Sequence, residues 1–156
     1  ALINRLVRQK VVESARRAGV TRSLRWVRLG QDLDLLDAPG VLPPRIDNQQ
    51  AALQLALCDD IGQAAYDTEA VAHAFVRLLR LLEGLPAAGV AEGLLERRYG
   101  VAVPVLAGRE LLPDAENWLL ATAERHTSGD TVRMAQRLLD DFRRGLLGAV
   151  ALELPG

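Results

Sequence analysis

The residues of this sequence best suited to chemistry are an aspartate and a glycine three positions apart, in the segment Asp37-Ala38-Pro39-Gly40. The segment follows residues 33–36, whose three leucines predict a short buried strand. In α/β proteins that bind nucleotides, an aspartate at a strand end helps to hold magnesium beside a terminal phosphate. The same segment also fits a plain strand that turns at Pro-Gly. The neighbouring elements must decide between these two interpretations.

Three elements precede this segment in the chain. Apolar residues at helical spacing predict an amphipathic helix at residues 2–7, and a polar, basic stretch at 13–23 predicts a mobile loop. Two short strands follow at 24–29 and 33–36, and the polar residues between them predict a hairpin on which Trp26 packs. The front of the chain is therefore predicted to be a helix, a basic loop and a hairpin.

The order of these elements suits a phosphate site. A helix N-terminus offers free N–H groups to phosphate oxygens, and a hydroxyl in a nearby loop can complete a magnesium shell. The basic loop carries Thr21, which is separated from Asp37 by only the end of the loop and the hairpin. We therefore expect Thr21 and Asp37 to reach one metal ion.

From about residue 46 the sequence predicts helices. They are expected at residues 48–58, 68–83, 91–99, 113–125 and 130–145. Asp47 or Asn48 is expected to cap the first of them, and Pro113 to lie in the first turn of the fourth. The last helix is predicted to bury one face, made by Val132, Ala135, Leu139, Phe142 and Leu146. Residues 148–154 are predicted to form either a terminal strand or an extended segment lying on the helices.

Composition limits the class of protein. The chain has 156 residues, 49% of them hydrophobic, which is enough for a buried core. Cys58 is the only cysteine and there are two histidines, which excludes an internal disulfide and a Cys/His zinc site. We expect Cys58 to be buried and the compartment to be reducing, that is, cytoplasmic. No apolar run approaches the ~20 residues of a membrane span. Residues 1–30 carry eight basic side chains and one acidic, so an anion is expected to bind there.

Longer segments of the chain resemble one family. Residues 1–6 resemble the helix that follows the Gly-Lys-Ser of a GTPase P-loop. Residues 19–27 resemble the first switch, and residues 35–43 the second switch, of the ribosome biogenesis GTPase A family. The closing residues 143–153 resemble the final Gly-x-Leu-Gly segment of the same family. The likeness therefore extends from one end of the chain to the other.

This resemblance implies an α/β fold with two parts. Residues 1–45 would be the C-terminal part of a circularly permuted P-loop GTPase domain, and residues 46–156 an all-α domain that binds the ribosome or its RNA. In permuted GTPases the guanine-reading motifs precede the P-loop. Those motifs contain lysine, yet Lys10 is the only lysine in the chain. Either base specificity has been lost, or the motifs lie upstream of Ala1, where the uncapped first helix is expected to begin.

The resemblance also implies roles for individual residues. Thr21 would supply its hydroxyl to Mg²⁺ and a backbone contact to the terminal phosphate of GTP, Asp37 would hold Mg²⁺ through a water, and the Gly40 N–H would bind that phosphate. Val41 stands where many GTPases have a glutamine, and a valine cannot polarise the attacking water. No residue of the chain is given a catalytic role. Because these 156 residues contain no P-loop, we expect no GTP turnover from them alone.

Arginines of the helical region form a second candidate site. Arg133, Arg137 and Arg144 can form one strip beside the apolar face of the last helix, with Arg97 and Arg98 nearby. They would contact the backbone phosphates of a folded ribosomal RNA, since the chain has few aromatic residues for base stacking. The alternative is ordinary surface charge paired with the abundant acidic residues.

The other titratable residues are expected to have no catalytic role. The acidic pairs at 59–60 and 140–141 are predicted to be solvated, because helical neighbours point about 100° apart. His73 and His126 are predicted to lie at the surface or its boundary. The resemblance implies a monomeric, GTP-binding assembly factor that acts on the precursor of the large ribosomal subunit and its rRNA. The alternative is a non-enzymatic helical module for RNA or protein interaction, with a degenerate nucleotide-binding front end.

Overall fold

A two-stranded hairpin lies near the start of the chain. The computed structural model describes residues 2–8, 24–31, 33–37, 46–106 and 112–153. Helix α1 (Leu2–Leu6) comes first, and strand β1 (Arg25–Arg28) then pairs with β2 (Asp34–Asp37) in antiparallel register. The predicted helix and hairpin are confirmed, but the expected burial of the second strand is wrong, since Leu33 and Leu36 are 60% and 45% exposed. The predicted loop at 13–23 lies outside the described residues.

The two faces of the hairpin differ in exposure. Val27 is buried, whereas Trp26, which lies opposite Leu36 in the register, is 70% exposed. Successive strand residues point to opposite faces, so the indole cannot share the environment of Val27. The expectation that Trp26 packs on the sheet is therefore wrong within the described residues.

The remainder of the described chain is mainly helical. Its α-helices are α2 (Gln49–Leu57), α3 (Thr68–Leu82), α4 (Leu94–Tyr99), α5 (Ala115–Thr127) and α6 (Thr131–Arg143). Short 3-10 helices lie at Gln63–Ala65 and Pro86–Ala88, and β3 (Val105–Leu106) pairs with β4 (Leu112–Pro113). The described part of the region predicted to be all-helical thus also contains a short hairpin, whose two strands have two residues each. No helix in the described ranges is long and apolar enough to cross a membrane.

Side-chain caps fix where the long helices begin. The Asn48 side chain accepts hydrogen bonds from the backbone N–H groups of Gln50 and Ala51, at 2.9 and 3.1 Å. Carboxylates cap the starts of three other helices in the same way: Asp67, Asp114 and Asp130. Each cap satisfies N–H groups that have no partner in the first turn. Pro113 precedes the α5 cap and pairs in β4, so its predicted place inside the helix is wrong.

Helix α3 is the centre of the helical core, where it contacts α2, α5 and α6. Its buried face consists of Val71, Ala72, Phe75, Val76, Leu79 and Leu82. The ring of Phe75 lies 4.8 Å, centroid to centroid, from that of Phe142 on α6. Trp118 of α5 is fully buried and donates its indole N–H to the carbonyl of Val101 at 2.9 Å. The helical region therefore has a core of its own.

Helix α6 buries a face that is rotated from the predicted one. Its buried residues are Met134, Ala135, Leu138, Leu139 and Asp141. Val132 and Leu146, which were expected on the buried face, are 55% and 48% exposed. The helix ends at Arg143 and the chain turns at Gly145 in a left-handed conformation, so Leu146 no longer follows the helical period.

The chain after α6 lies on the helical core. The Ala151 N–H donates to the carbonyl of Ala88 at 3.0 Å. A Cβ at Gly89, where φ is +70°, would lie 2.1 Å from the carbonyl oxygen of Ala149. Of the two structures predicted for this tail, the extended segment lying on the helices is the one observed.

Candidate functional site

The aspartate of the predicted phosphate site is the last residue of strand β2. Asp37 pairs with Arg25 in the hairpin register, so its backbone is fixed by the neighbouring strand at the point where the chain leaves the sheet. Thr21 and Gly40 lie outside the described residues. The structure therefore positions one of the three predicted nucleotide-binding residues and leaves the convergence of all three as a prediction.

The donor chemistry of the predicted site suits magnesium. A carboxylate at Asp37 and a hydroxyl at Thr21 are hard oxygen donors, which Mg²⁺ prefers, usually with water filling its remaining positions. Within the described ranges, no three His, Cys, Asp or Glu side chains come together as a metal site. If the chain holds Mg²⁺ at a strand end, Asp37 and Thr21 fit that role.

The arginines predicted for RNA contact lie on an exposed face of α6 and at its end. Arg133, Arg137 and Arg144 are all exposed. Helical residues are about 100° apart, so the three side chains fall within an arc of about 40°. None of them forms an ion pair with a described carboxylate. We call these three residues the α6 arginine strip.

An acidic side chain on the same face turns away from this strip. Asp140 accepts a hydrogen bond from Gln136 at 3.0 Å and lies 3.8 Å from the Nη1 of Arg143. Its carboxylate is thereby engaged on the opposite flank from Arg137. The α6 arginine strip consequently keeps a net positive charge.

The two arginines of α4 are held differently from those of α6. Arg98 donates from its Nε and Nη2 to the Oδ2 of Asp141, at 3.2 and 3.0 Å, and Arg97 donates to the backbone carbonyl of Glu92. The hydrogen bond to Asp141 raises the pKa of Arg98. Arg98 therefore fits the alternative interpretation, in which these arginines are surface charges paired with acidic residues. It nevertheless lies next to α6.

Asp141 is a buried carboxylate that the sequence-based reasoning missed. It is 6% exposed and also accepts a hydrogen bond from the hydroxyl of Tyr99 at 2.9 Å. Burial, and then the Asp141 charge, raise the pKa of Tyr99 above its ordinary value. The expectation that the 140–141 pair is solvated is wrong for Asp141. Its spacing of three from Leu138 and seven from Met134 places it on the buried face, and this signal was available.

Two further expectations concern single side chains. His126 is partly buried, and its Nε2 lies 2.8 Å from the carbonyl oxygen of Tyr99, which agrees with a boundary residue. Cys58 is exposed, so the expected buried thiol is wrong. It follows the last buried residues of α2, Ala56 and Leu57, as the helix ends. Although the residue is exposed, nearby protein atoms partly desolvate its thiol, and this desolvation together with the Asp60 charge raises the pKa of the thiol.

Comparison with known families decides the relationship of the chain. A family model described as a 50S ribosome-binding GTPase matches residues 1–82. The chain belongs to this family. The matched residues include the hairpin, α2 and α3, and they run across the domain boundary predicted near residue 45, which stays a prediction.

Individual relatives of this chain agree with that result. The chain is 35% identical over 78 residues to ribosome biogenesis GTPase A of Bacillus pumilus, and 36% identical over 78 residues to that of Bacillus licheniformis. Each match covers 50% of this chain and 28% of the relative. The resemblance to the ribosome biogenesis GTPase A family is confirmed.

A further relative extends the match into the helical region. Mitochondrial GTPase 1 of Aedes aegypti is 27% identical over 145 residues, which cover 87% of this chain and 44% of the relative. The chain thus spans between 28% and 44% of the length of these three relatives.

Proposed function

We propose that the protein is a GTP-binding assembly factor for the large ribosomal subunit, which hydrolyses GTP as a conformational switch. The observation that carries this proposal is the family match over residues 1–82, which includes the hairpin ending at Asp37. The GTPase domain would be circularly permuted, with its guanine-reading motifs before the P-loop. The protein would act in the cytoplasm as a monomer on the large-subunit precursor and its rRNA.

The nucleotide site would use three residues of the chain. Asp37 and Thr21 would hold Mg²⁺, and the backbone N–H of Gly40 would bind the terminal phosphate of GTP. The bound ion would neutralise phosphate charge. The pairing of β2 with β1 supports this arrangement, because it fixes the backbone at Asp37.

Hydrolysis by the intact protein would need a group that this site does not supply. Val41 has no polar atom in its side chain, so it cannot orient the attacking water. Intrinsic turnover would be slow until another part of the protein or the ribosomal particle provides that group. The bound particle would then control when the switch resets.

The helical domain would contact ribosomal RNA. The α6 arginine strip is exposed, and its members have no described carboxylate as an ion-pair partner, so their charge is available to phosphates. Arg97 and Arg98 would extend this surface only weakly, since Arg98 is already paired with Asp141. We therefore place the main RNA contact on α6.

The assignment of Asp37 can be tested in protein expressed from the complete gene. Asp37→Ala should lower the affinity for GTP in the presence of Mg²⁺ by at least about tenfold, a loss of about 1.4 kcal/mol, as measured by titration calorimetry. The affinity measured in excess EDTA should change little, because the lost interaction runs through the metal.

Asp34→Ala is the matched control. It removes a carboxylate from the same strand, where Asp34 pairs with Arg28 at 3.3 Å on an exposed surface. We expect its GTP affinity to equal that of the wild type. An Asp37→Ala protein that binds Mg²⁺-GTP as tightly as the control would contradict the site, and absence of GTP binding by the wild type would favour the non-enzymatic interaction module.

A further inference from the structure

The guanidinium of Arg143 joins the end of α6 to the end of α2. Its Nε donates to the carbonyl oxygen of Leu57 at 3.0 Å, and its Nη2 donates to that of Ala56 at 2.7 Å. The side chain is only 14% exposed. Arg143, the last residue of α6, is therefore hydrogen-bonded to the last turn of α2, 86 residues earlier in the chain.

The same guanidinium has three more partners. Its Nη2 also donates to the hydroxyl of Tyr66 at 3.0 Å, and its Nη1 lies 3.7 Å from Asp59 and 3.8 Å from Asp140. All three nitrogens of Arg143 are thus engaged. The two carboxylates compensate its charge, which a side chain this buried requires.

These contacts resist relative movement of the two helices. The Ala56 carbonyl also accepts from the backbone N–H of Asp59 at 3.2 Å, so Arg143 adds a second donor to a turn that already closes the helix. A cation at a helix C-terminus also interacts favourably with the helix dipole. The planar guanidinium binds both carbonyls in one fixed direction. Ala56 and Leu57 are also the buried residues of α2, and their apolar side chains alone would allow sliding more readily than hydrogen bonds do.

We propose that Arg143 is a positioning residue that makes α2 and α6 move as one unit, so that the nucleotide state sets the position of the α6 arginine strip. This inference rests on the proposed function. Helix α2 begins shortly after the predicted second switch at Gly40, and α6 carries Arg133 and Arg137. A shift of α2 that follows the switch would then be passed directly to the RNA-contacting face.

The test compares the GTP-bound and GDP-bound states of protein from the complete gene. Hydrogen exchange of the α6 amides, residues 131–143, is measured with a non-hydrolysable GTP analogue and with GDP. In the wild type we expect the exchange rates to differ between the two states by at least about fivefold, the lower range of allosteric coupling. Arg143→Lys keeps the positive charge but lacks the planar guanidinium that binds two carbonyls at once. It should therefore reduce this difference to less than about twofold.

Two further variants guard against a general loss of structure. Arg77→Lys changes an exposed arginine of α3, 3.9 Å from Glu116, and should respond to nucleotide as the wild type does. Tyr66→Phe removes one hydroxyl partner of Arg143 and leaves its carbonyl contacts, so it should reduce the nucleotide-dependent difference only in part. If Arg143→Lys does not fold, the Tyr66→Phe variant tests the coupling in its place. A partial reduction of the nucleotide-dependent difference then supports the coupling, and an unchanged difference overturns it.

The outcomes separate this inference from the proposed function. Loss of the α6 response in Arg143→Lys, with nucleotide affinity unchanged in a parallel titration, supports the coupling. An α6 response equal in all variants, or no α6 response in a wild type that binds nucleotide, overturns it. A wild type that binds no guanine nucleotide overturns the proposed function, and the inference fails with it.

Discussion

The environment of Asp141 in the fold differs from the one that its neighbours in the sequence suggest. It follows Asp140, and adjacent acids on a helix usually face water, yet it accepts hydrogen bonds from Tyr99 and Arg98 at the junction of α4 and α6. Its partners on α4 cannot be read from α6 alone. Its place on the buried face could be read from helical spacing, whereas the two partners required the fold.

The buried phenol of Tyr99 makes stability depend on pH at the alkaline end. Its pKa is raised in the folded protein, so below about pH 10 both the folded and unfolded states keep the proton and this group contributes no slope. Above that pH the unfolded chain releases the proton and the folded protein retains it. The free energy of unfolding should then fall by about 1.4 kcal/mol per pH unit from this group.

The measurement is chemical denaturation between pH 8 and about pH 11 for the wild type and Tyr99→Phe. The phenylalanine variant removes the titrating hydroxyl with little change in volume, so its stability should fall less steeply above about pH 10. Parallel profiles for the two proteins would refute the assigned environment of Tyr99.

At the scale of elements, the sequence is sufficient to predict those features that depend on residues within a few positions of one another. The hairpin at residues 24–36 and the helix beginning after Asn48 were predicted because turn residues and caps act on their immediate neighbours. The path of the tail after Gly145 was left open, since it depends on Ala88, some sixty residues earlier. The exposed surface of α6 was predicted, but the rotation of its buried face depends on α3 and α5.

The close contact between Gly89 and the tail gives a test at this scale. Gly89→Ala introduces a Cβ against the Ala149 carbonyl and should displace the tail, whereas Gly145→Ala meets nothing within 4 Å. Both positions have a left-handed backbone, with φ of +70° and +73°, so the strain on an alanine is similar. Gly89→Ala should lower the free energy of unfolding by about 1–3 kcal/mol more than Gly145→Ala. Equal losses in thermal or urea denaturation would show that the tail is not held there.

At the scale of the whole molecule, the family could be recognised from sequence because the segments predicted to be switches form a linear pattern of residues. The convergence of Thr21, Asp37 and Gly40 on one nucleotide remains a prediction, as only Asp37 lies in a described element. The α6 arginine strip was predicted from spacing alone, while the pairing of Arg98 with Asp141 needed the packing of two helices.

The central claim joins the two ends of the chain: a nucleotide site near Asp37 and an RNA-contacting face on α6. The most direct measurement is co-sedimentation of protein from the complete gene with large-subunit precursors, with a GTP analogue and with GDP, at two salt concentrations. Wild-type protein should bind more tightly with the GTP analogue. The double substitution Arg133→Glu and Arg137→Glu should weaken binding by at least about tenfold and reduce its dependence on salt. Equal binding with both nucleotides, or unchanged binding by the doubly substituted protein, would contradict the account.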